Sequence, residues 1–221
     1  MRKWGLIVTL LYLVIVLALL VPAAVFLITG TGQFLGNLRG AYGDWFIWVN
    51  IALFVSAEAL LLLLTVDTSE RRMKPRAHIL VSATTTGVLL AVLSFAVVLS
   101  VVAARWGDHA DTKLTNLVMT AMFLFPWIIW TIIFYRMTHD ANDAITRTVS
   151  WLMRGSVLEL LIAVPAHVIV RRRHDCSAPV ATGFGISSGI AIMLLSFGPS
   201  VLLLYKKRME ALKPKSAAAS N

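Results

Sequence analysis

Apolar residues gather in six long runs, and short polar segments separate them. The two fullest are residues 4–29 and 79–104. A bilayer core takes about 20 mostly apolar residues per helix, and both runs exceed that. The pattern predicts spans over about 4–29, 44–66, 79–104, 117–135, 156–170 and 184–205. The expected fold is an all-α integral membrane protein, a six-helix transmembrane bundle forming a single domain over 1–208. A basic and polar tail, 209–221, is expected to be disordered.

The connections refine this picture. Residues 30–43 carry five glycines in fourteen positions, which predicts turns and little regular structure. Trp45, Phe46 and Trp48 open the second run, and aromatic rings of this kind favour the headgroup boundary. In the third run Ala83, Gly87, Ala91 and Ser94 recur at helical spacing, a small-residue face suited to close helix packing. Pro126 interrupts the fourth and predicts a kink.

Residues 136–154 are too polar to span. Ala141, Ala144, Ile145, Val149 and Leu152 share one helical face there, with Asp140, Asp143 and Arg147 elsewhere. An interfacial amphipathic helix near 138–152, ending at Gly155, is expected. The fifth run is the shortest and contains Glu159, Pro165 and His167. It predicts a fifth helix that is short or re-entrant.

Composition agrees with the membrane reading. Charged residues make up 14% of 221, against about 25% in soluble domains, and mean hydropathy is +0.81. The net charge of +9 does not indicate nucleic-acid binding, because the basic residues sit in short clusters at span ends and no basic, aromatic-interleaved groove exists. Anionic lipid headgroups are the expected partners of those clusters. The single cysteine, Cys176, excludes an intramolecular disulfide. The N-terminal run is longer than a secretory h-region, so it is expected to remain as the first span. No N-x-S/T sequon occurs, which fits a bacterial cytoplasmic membrane.

Lys and Arg accumulate on the cytoplasmic side. With six spans and both termini cytoplasmic, the inner segments hold 14 basic residues and the outer ones 6. A re-entrant fifth span would change this to 12 against 8. The exception in the six-span topology is Arg171, Arg172 and Arg173, three basic residues on the outer side.

A few polar residues fall inside apolar runs. Glu58 lies about 13 Å from the inner boundary at Asp67 at 1.5 Å rise per residue. A charged carboxylate there is costly, so it should be protonated, paired or wetted, with Asn50 or a hydroxyl of the third span as candidate partners. Glu159 stands one helical turn from Arg154, a possible ion-pair partner. His167 is two turns beyond Glu159 on broadly the same face. Glu58, Glu159, His167 and Asn50 are therefore the candidate pathway residues. Arg171, Arg172 and Arg173 are candidates for binding an anion or lipid headgroup.

His109, His174, Asp175 and Cys176 offer imidazole, carboxylate and thiolate, the candidate metal ligands, although their spacing matches no zinc pattern. No cofactor is expected. Residues 185–189 fit G-x-S-x-G, but they lie inside an apolar run with no histidine after them. Gly185 and Gly189 read instead as a G-x-x-x-G packing face. There is no HExxH and no P-loop.

These features point to a non-enzymatic membrane protein, either a small transport component or an accessory subunit of a larger membrane complex. A homo-oligomer or other membrane subunits would be its partners. The competing expectation is an enzyme acting on lipid or a redox substrate at the outer face, through residues 167–176. Labelling Cys176 in intact cells with a membrane-impermeant maleimide tests the topology. Six spans predict labelling from outside. Labelling only after permeabilisation would mean a re-entrant fifth segment.

Overall fold

The computed structural model describes residues 2–30, 32, 34–70, 75–107, 116–138 and 141–212. Helices α1 (Arg2–Ile15) and α2 (Val21–Thr29) are joined by a π-helical turn, Val16–Leu20. Then follow α3 (Phe34–Gly43), α4 (Trp45–Glu70), α5 (Pro75–Trp106), α6 (Asn116–Met137), α7 (Ala141–Arg172) and α8 (Ala178–Leu212). Six segments are long and apolar enough to cross a membrane: Gly5–Thr29, Trp45–Leu62, Ile79–Trp106, Val118–Met137, Ile145–Arg172 and Ala178–Val201. The chain is an all-α, six-helix membrane bundle, with no strand among the described residues.

Helix α8 is the hub. It packs against α7, α5, α4 and both halves of the first span. Its sequence between Thr182 and Gly198 is dense in Gly, Ser and Ala, and small residues let neighbouring backbones approach closely. Helix α5 is the second central element, lying against α6, α7 and α8. Its small-residue face does pack on a neighbouring span. A side chain at Gly87 would meet the Thr131 backbone nitrogen of α6 at 3.0 Å, and Trp130 Nε1 donates to Ser94 Oγ at 3.1 Å. Helix α6 packs chiefly on α5 and exposes Phe125, Ile128 and Ile132 on its outer side.

Two expectations are corrected. Residues 141–172 form one continuous helix, not an interfacial helix followed by a short or re-entrant span. Ile145, Thr148, Leu152, Ser156, Glu159, Ala163, Ala166 and Val170 are all buried, at spacings of three and four residues. That stripe runs without interruption past Gly155, so the amphipathic face and the span face are the same face. Gly155 does not end the helix. It sits against Leu93 and Leu90 of α5, where a Cβ would lie 3.0 and 3.4 Å from their methyls. The second correction is α3, a helix where turns were expected. None of its residues is buried, and a Cβ at Gly36, Gly40 or Gly43 would meet nothing.

A hydrogen bond ties α3 to the first span. In the π turn the Val21 N–H reaches back to the Val16 carbonyl, so the Leu17 carbonyl loses its usual helical donor. The next candidate donor in that register is Pro22, which has no N–H. Tyr42 of α3 supplies the missing proton, its hydroxyl donating to Leu17 O. Tyr42→Phe removes only this donor, and it should cost about 1–2 kcal/mol of stability. Unfolding titrations in mixed detergent micelles measure it, and an unchanged midpoint would show that the bond contributes nothing.

Candidate functional site

Two glutamates are fully enclosed inside the bundle. Glu159 of α7 is 0% exposed and Glu58 of α4 is 1% exposed. Neither Glu159 oxygen has a hydrogen-bond partner among the described residues, and nor does Glu58 Oε2.

Both are seated on glycines of α8. A methyl at Gly189 would fall on Glu159 Oε2, and one at Gly185 would lie 2.9 Å from Glu159 Oε1 and 2.7 Å from Ser100 Oγ of α5. The G-x-x-x-G face is therefore a packing face, and the side chain packed into it is a carboxylate. Glu58 lies on Gly198 in the same way, and Val8 of α1 closes the same place at 3.3 Å from that glycine's Cβ position. One turn past Val8, Tyr12 donates its hydroxyl to the Ala191 carbonyl of α8 at 3.0 Å. Pro199 leaves the Leu195 carbonyl without its helical donor, one turn before Gly198.

Gly189 and Gly198 are nine residues apart, which at 100° and 1.5 Å per residue is about half a circle and about 13 Å. The carboxylates thus lie on opposite faces of α8 and at different depths. Glu159 stands 12 residues from both Arg147 and Arg171. Those arginines mark the two ends of the bundle. Arg147 Nη1 donates to the Met137 carbonyl, the last of α6, at 2.6 Å. Arg171 donates to Leu27 O in the last turn of α2, and Arg173 Nη1 to Ala104 O in the last turn of α5 at 2.6 Å. Glu159 is therefore midway, about 18 Å from either end.

Polar side chains flank Glu159 on both sides along α7. Ser156 lies one turn away on the same stripe, and Ser100 of α5 faces the same glycine. Both are fully buried, and neither hydroxyl has a partner among the described residues. On the other side, two turns from Glu159 toward Arg171, His167 Nδ1 and Thr182 Oγ1 are 2.8 Å apart. At the end itself Asp175 packs against Gly107, whose φ of +59° turns the chain after α5.

The other candidate residues are placed as follows. Asn50 donates to Phe46 O of its own helix at 2.9 Å and does not satisfy Glu58 Oε2. Arg154 is exposed on the opposite side of α7 from Glu159, so the expected ion pair is not made. Arg171 and Arg173 act as helix caps, where a cation and donor meet carbonyls at the negative end of a helix. Arg172 is exposed between them. Among the described residues no three His, Cys, Asp or Glu side chains converge on a metal-sized site. His174 stands in a turn with φ 60°, Cys176 is exposed, and His109 lies outside the described residues. Sequence reasoning passed over Ser100 and Ser156. Their signal is weak, because a serine in a helix usually bonds back to its own backbone, as Ser94, Ser196 and Ser200 do here.

No protein-family model, no curated protein and no solved structure matches the chain. The fold and the enclosed carboxylates define it as a polytopic membrane protein with ionisable groups inside its bundle.

Gly189→Ala should lower stability by about 1–3 kcal/mol, because the methyl overlaps the Glu159 carboxylate. Adding Glu159→Ala should recover much of that loss. A double-mutant cycle measured by unfolding reads the coupling. Simple additivity would mean that the two side chains do not meet.

Proposed function

We propose that the protein is a small, non-enzymatic transport component that carries monovalent cations, protons included, across a membrane. The observation that supports this most is the placement of Glu159. It is a fully enclosed carboxylate midway between the two arginine-capped ends, with no hydrogen-bond partner for either oxygen among the described residues. A group that must be neutralised at the bilayer centre is costly to keep, and such residues mark ion and proton pathways. Coupling-ion sites of transporters lie at that depth. Glu58, on the other face of α8 and nearer the opposite end, offers a second station. Helix α8 is the shared wall, and Gly198-Pro199 supplies it with a weak point beside Glu58.

The positive-inside pattern supports cytoplasmic termini in a bacterial cytoplasmic membrane, with Arg172 among anionic headgroups on the outer side. The outer face of α6, almost nowhere buried, is where a second copy or another membrane subunit would sit. The enzyme alternative draws less support. Arg171 and His167 both meet Leu27 of α2, and Arg173 and Asp175 meet Ala104 and Gly107 at the end of α5, so each has a structural contact that accounts for it.

Proteoliposomes holding a pH-sensitive dye test this reading. An imposed potential should drive ion flux well above that of protein-free vesicles. Glu159→Gln keeps the shape and removes the charge, and it should cut the flux at least tenfold. Glu58→Gln should also lower it. A His174→Ala, Cys176→Ser double variant should leave it unchanged. Flux no higher than in empty vesicles, for protons and alkali cations alike, would overturn the transport reading in favour of an accessory subunit.

A further inference from the structure

The proposal rests on the transport reading above and concerns the ion at its central station. Three oxygens gather where α5, α7 and α8 meet, Glu159 Oε1 and Oε2 and Ser100 Oγ, and Ser156 Oγ lies on α7 one helical turn from Glu159. All belong to side chains that are 0% exposed, and none has a hydrogen-bond partner among the described residues. Ser100 and Glu159 both border the space beside Gly185, at 2.7 and 2.9 Å from the position of its absent Cβ. Ser156 is one turn from Glu159 on the same buried stripe, so the two side chains are neighbours.

The serines argue for a ligand. Hydroxyls in this bundle are generally satisfied by the carbonyl three or four residues back, or by another hydroxyl. Ser188 bonds to Gly185 O at 2.9 Å, Ser196 to Ile192 O at 2.8 Å, and Thr86 to Ser82 O at 2.7 Å and Thr148 Oγ1 at 2.9 Å. Ser100 and Ser156 make no such bond, although each lies inside a regular helix. A buried hydroxyl without a partner costs about 1–3 kcal/mol, and two of them beside an equally unpartnered carboxylate form one unsatisfied cluster. Ser100 and Glu159 border one space without bonding to each other, which is how ligands stand around a central ion.

The donor set names the ion's class. Oxygen-only ligation without nitrogen or sulfur suits a hard cation. One carboxylate with no other charged group beside it balances one positive charge, whereas a divalent ion would leave a net charge in the dry interior. The space beside Gly185 is too tight even for a methyl, with Ser100 Oγ and Glu159 Oε1 at 2.7 and 2.9 Å from the Cβ position, which favours a small ion over a large one. We propose that Glu159, Ser100 and Ser156 form a binding site for a small alkali cation, Na⁺ first, at the centre of the membrane.

Purified full-length protein in lipid nanodiscs, at fixed pH and ionic strength, tests this by thermal unfolding in NaCl against choline chloride. Na⁺ at about 100 times its Kd should raise Tm by about 5–11 °C, saturably and with one site. Glu159→Gln should abolish the shift. A Ser100→Ala, Ser156→Ala double variant removes unsatisfied hydroxyls, so it should fold at least as stably without Na⁺. It should weaken the apparent affinity for Na⁺ at least tenfold. Ser196→Ala, a buried serine whose hydroxyl is already used, should retain the wild-type response. A wild-type Tm equal in the two salts, or a Na⁺ shift that persists in Glu159→Gln, would overturn the proposal. If there is no Na⁺ shift but Glu159-dependent proton flux remains, the cation site fails and the transport reading stands. Loss of both removes the two together.

Discussion

A carboxyl group inside hydrocarbon needs two things, neutralisation and room. The bundle is arranged around the second. Glu159 and Glu58 are large side chains pressed against one helix, and that helix has glycine at each point of contact. With any larger residue at Gly185, Gly189 or Gly198, α7 and α4 would have to stand off from α8. The centrality of α8 follows from its small residues, and the depth of both acids follows from where those residues fall. Packing and chemistry therefore depend on the same positions.

The remaining polar groups obey a simple economy. Threonines and serines along the helices are mostly bonded to their own carbonyls, and Thr148 joins Ser82 and Thr86 across the α5–α7 contact. Tyr42 meets a carbonyl that the π turn sets free. Arginines at the two ends of α7 hold the ends of α2, α5 and α6. Against that background buried oxygens without a partner among the described residues are few: single atoms at Glu58, Thr131, Thr138 and Asp175, and the group formed by Glu159, Ser100 and Ser156. Exceptions of this kind in an otherwise satisfied interior are where function is expected to depart from stability.

Much of the fold was legible in the chain, because spans are dictated by composition and length. The six segments, the packing face through Gly87 and the misplaced carboxylates could all be read from local pattern. What could not be read was decided by distant partners. Gly155 looks like a helix end until Leu90 and Leu93 are seen filling the space beside it. Residues 30–43 look like turns because glycine disfavours helix, yet α3 forms and is tied to the first span by Tyr42. The arginine triplet at 171–173 looked like an orientation conflict. Its physical reason is two carbonyl-bearing helix ends, at Leu27 and Ala104, which lie far away in sequence. Glu159 was legible as unusual, but Arg154 was the wrong partner. A spacing of five residues put the two on different faces, and the true neighbours come from α5 and α8.

Helix α7 also fixes a length. Arg147 and Arg171 are 24 residues apart, about 36 Å along the helix axis. Each is bound to the end of another helix. Most membrane helices meet a thinner bilayer by tilting. Here a tilt of α7 would withdraw guanidinium groups from carbonyls at both ends at once, leaving three other helices uncapped. The helix is a strut of set span within the bundle, so a change in bilayer thickness has to be met by α2, α5, α6 and α7 together rather than by α7 alone.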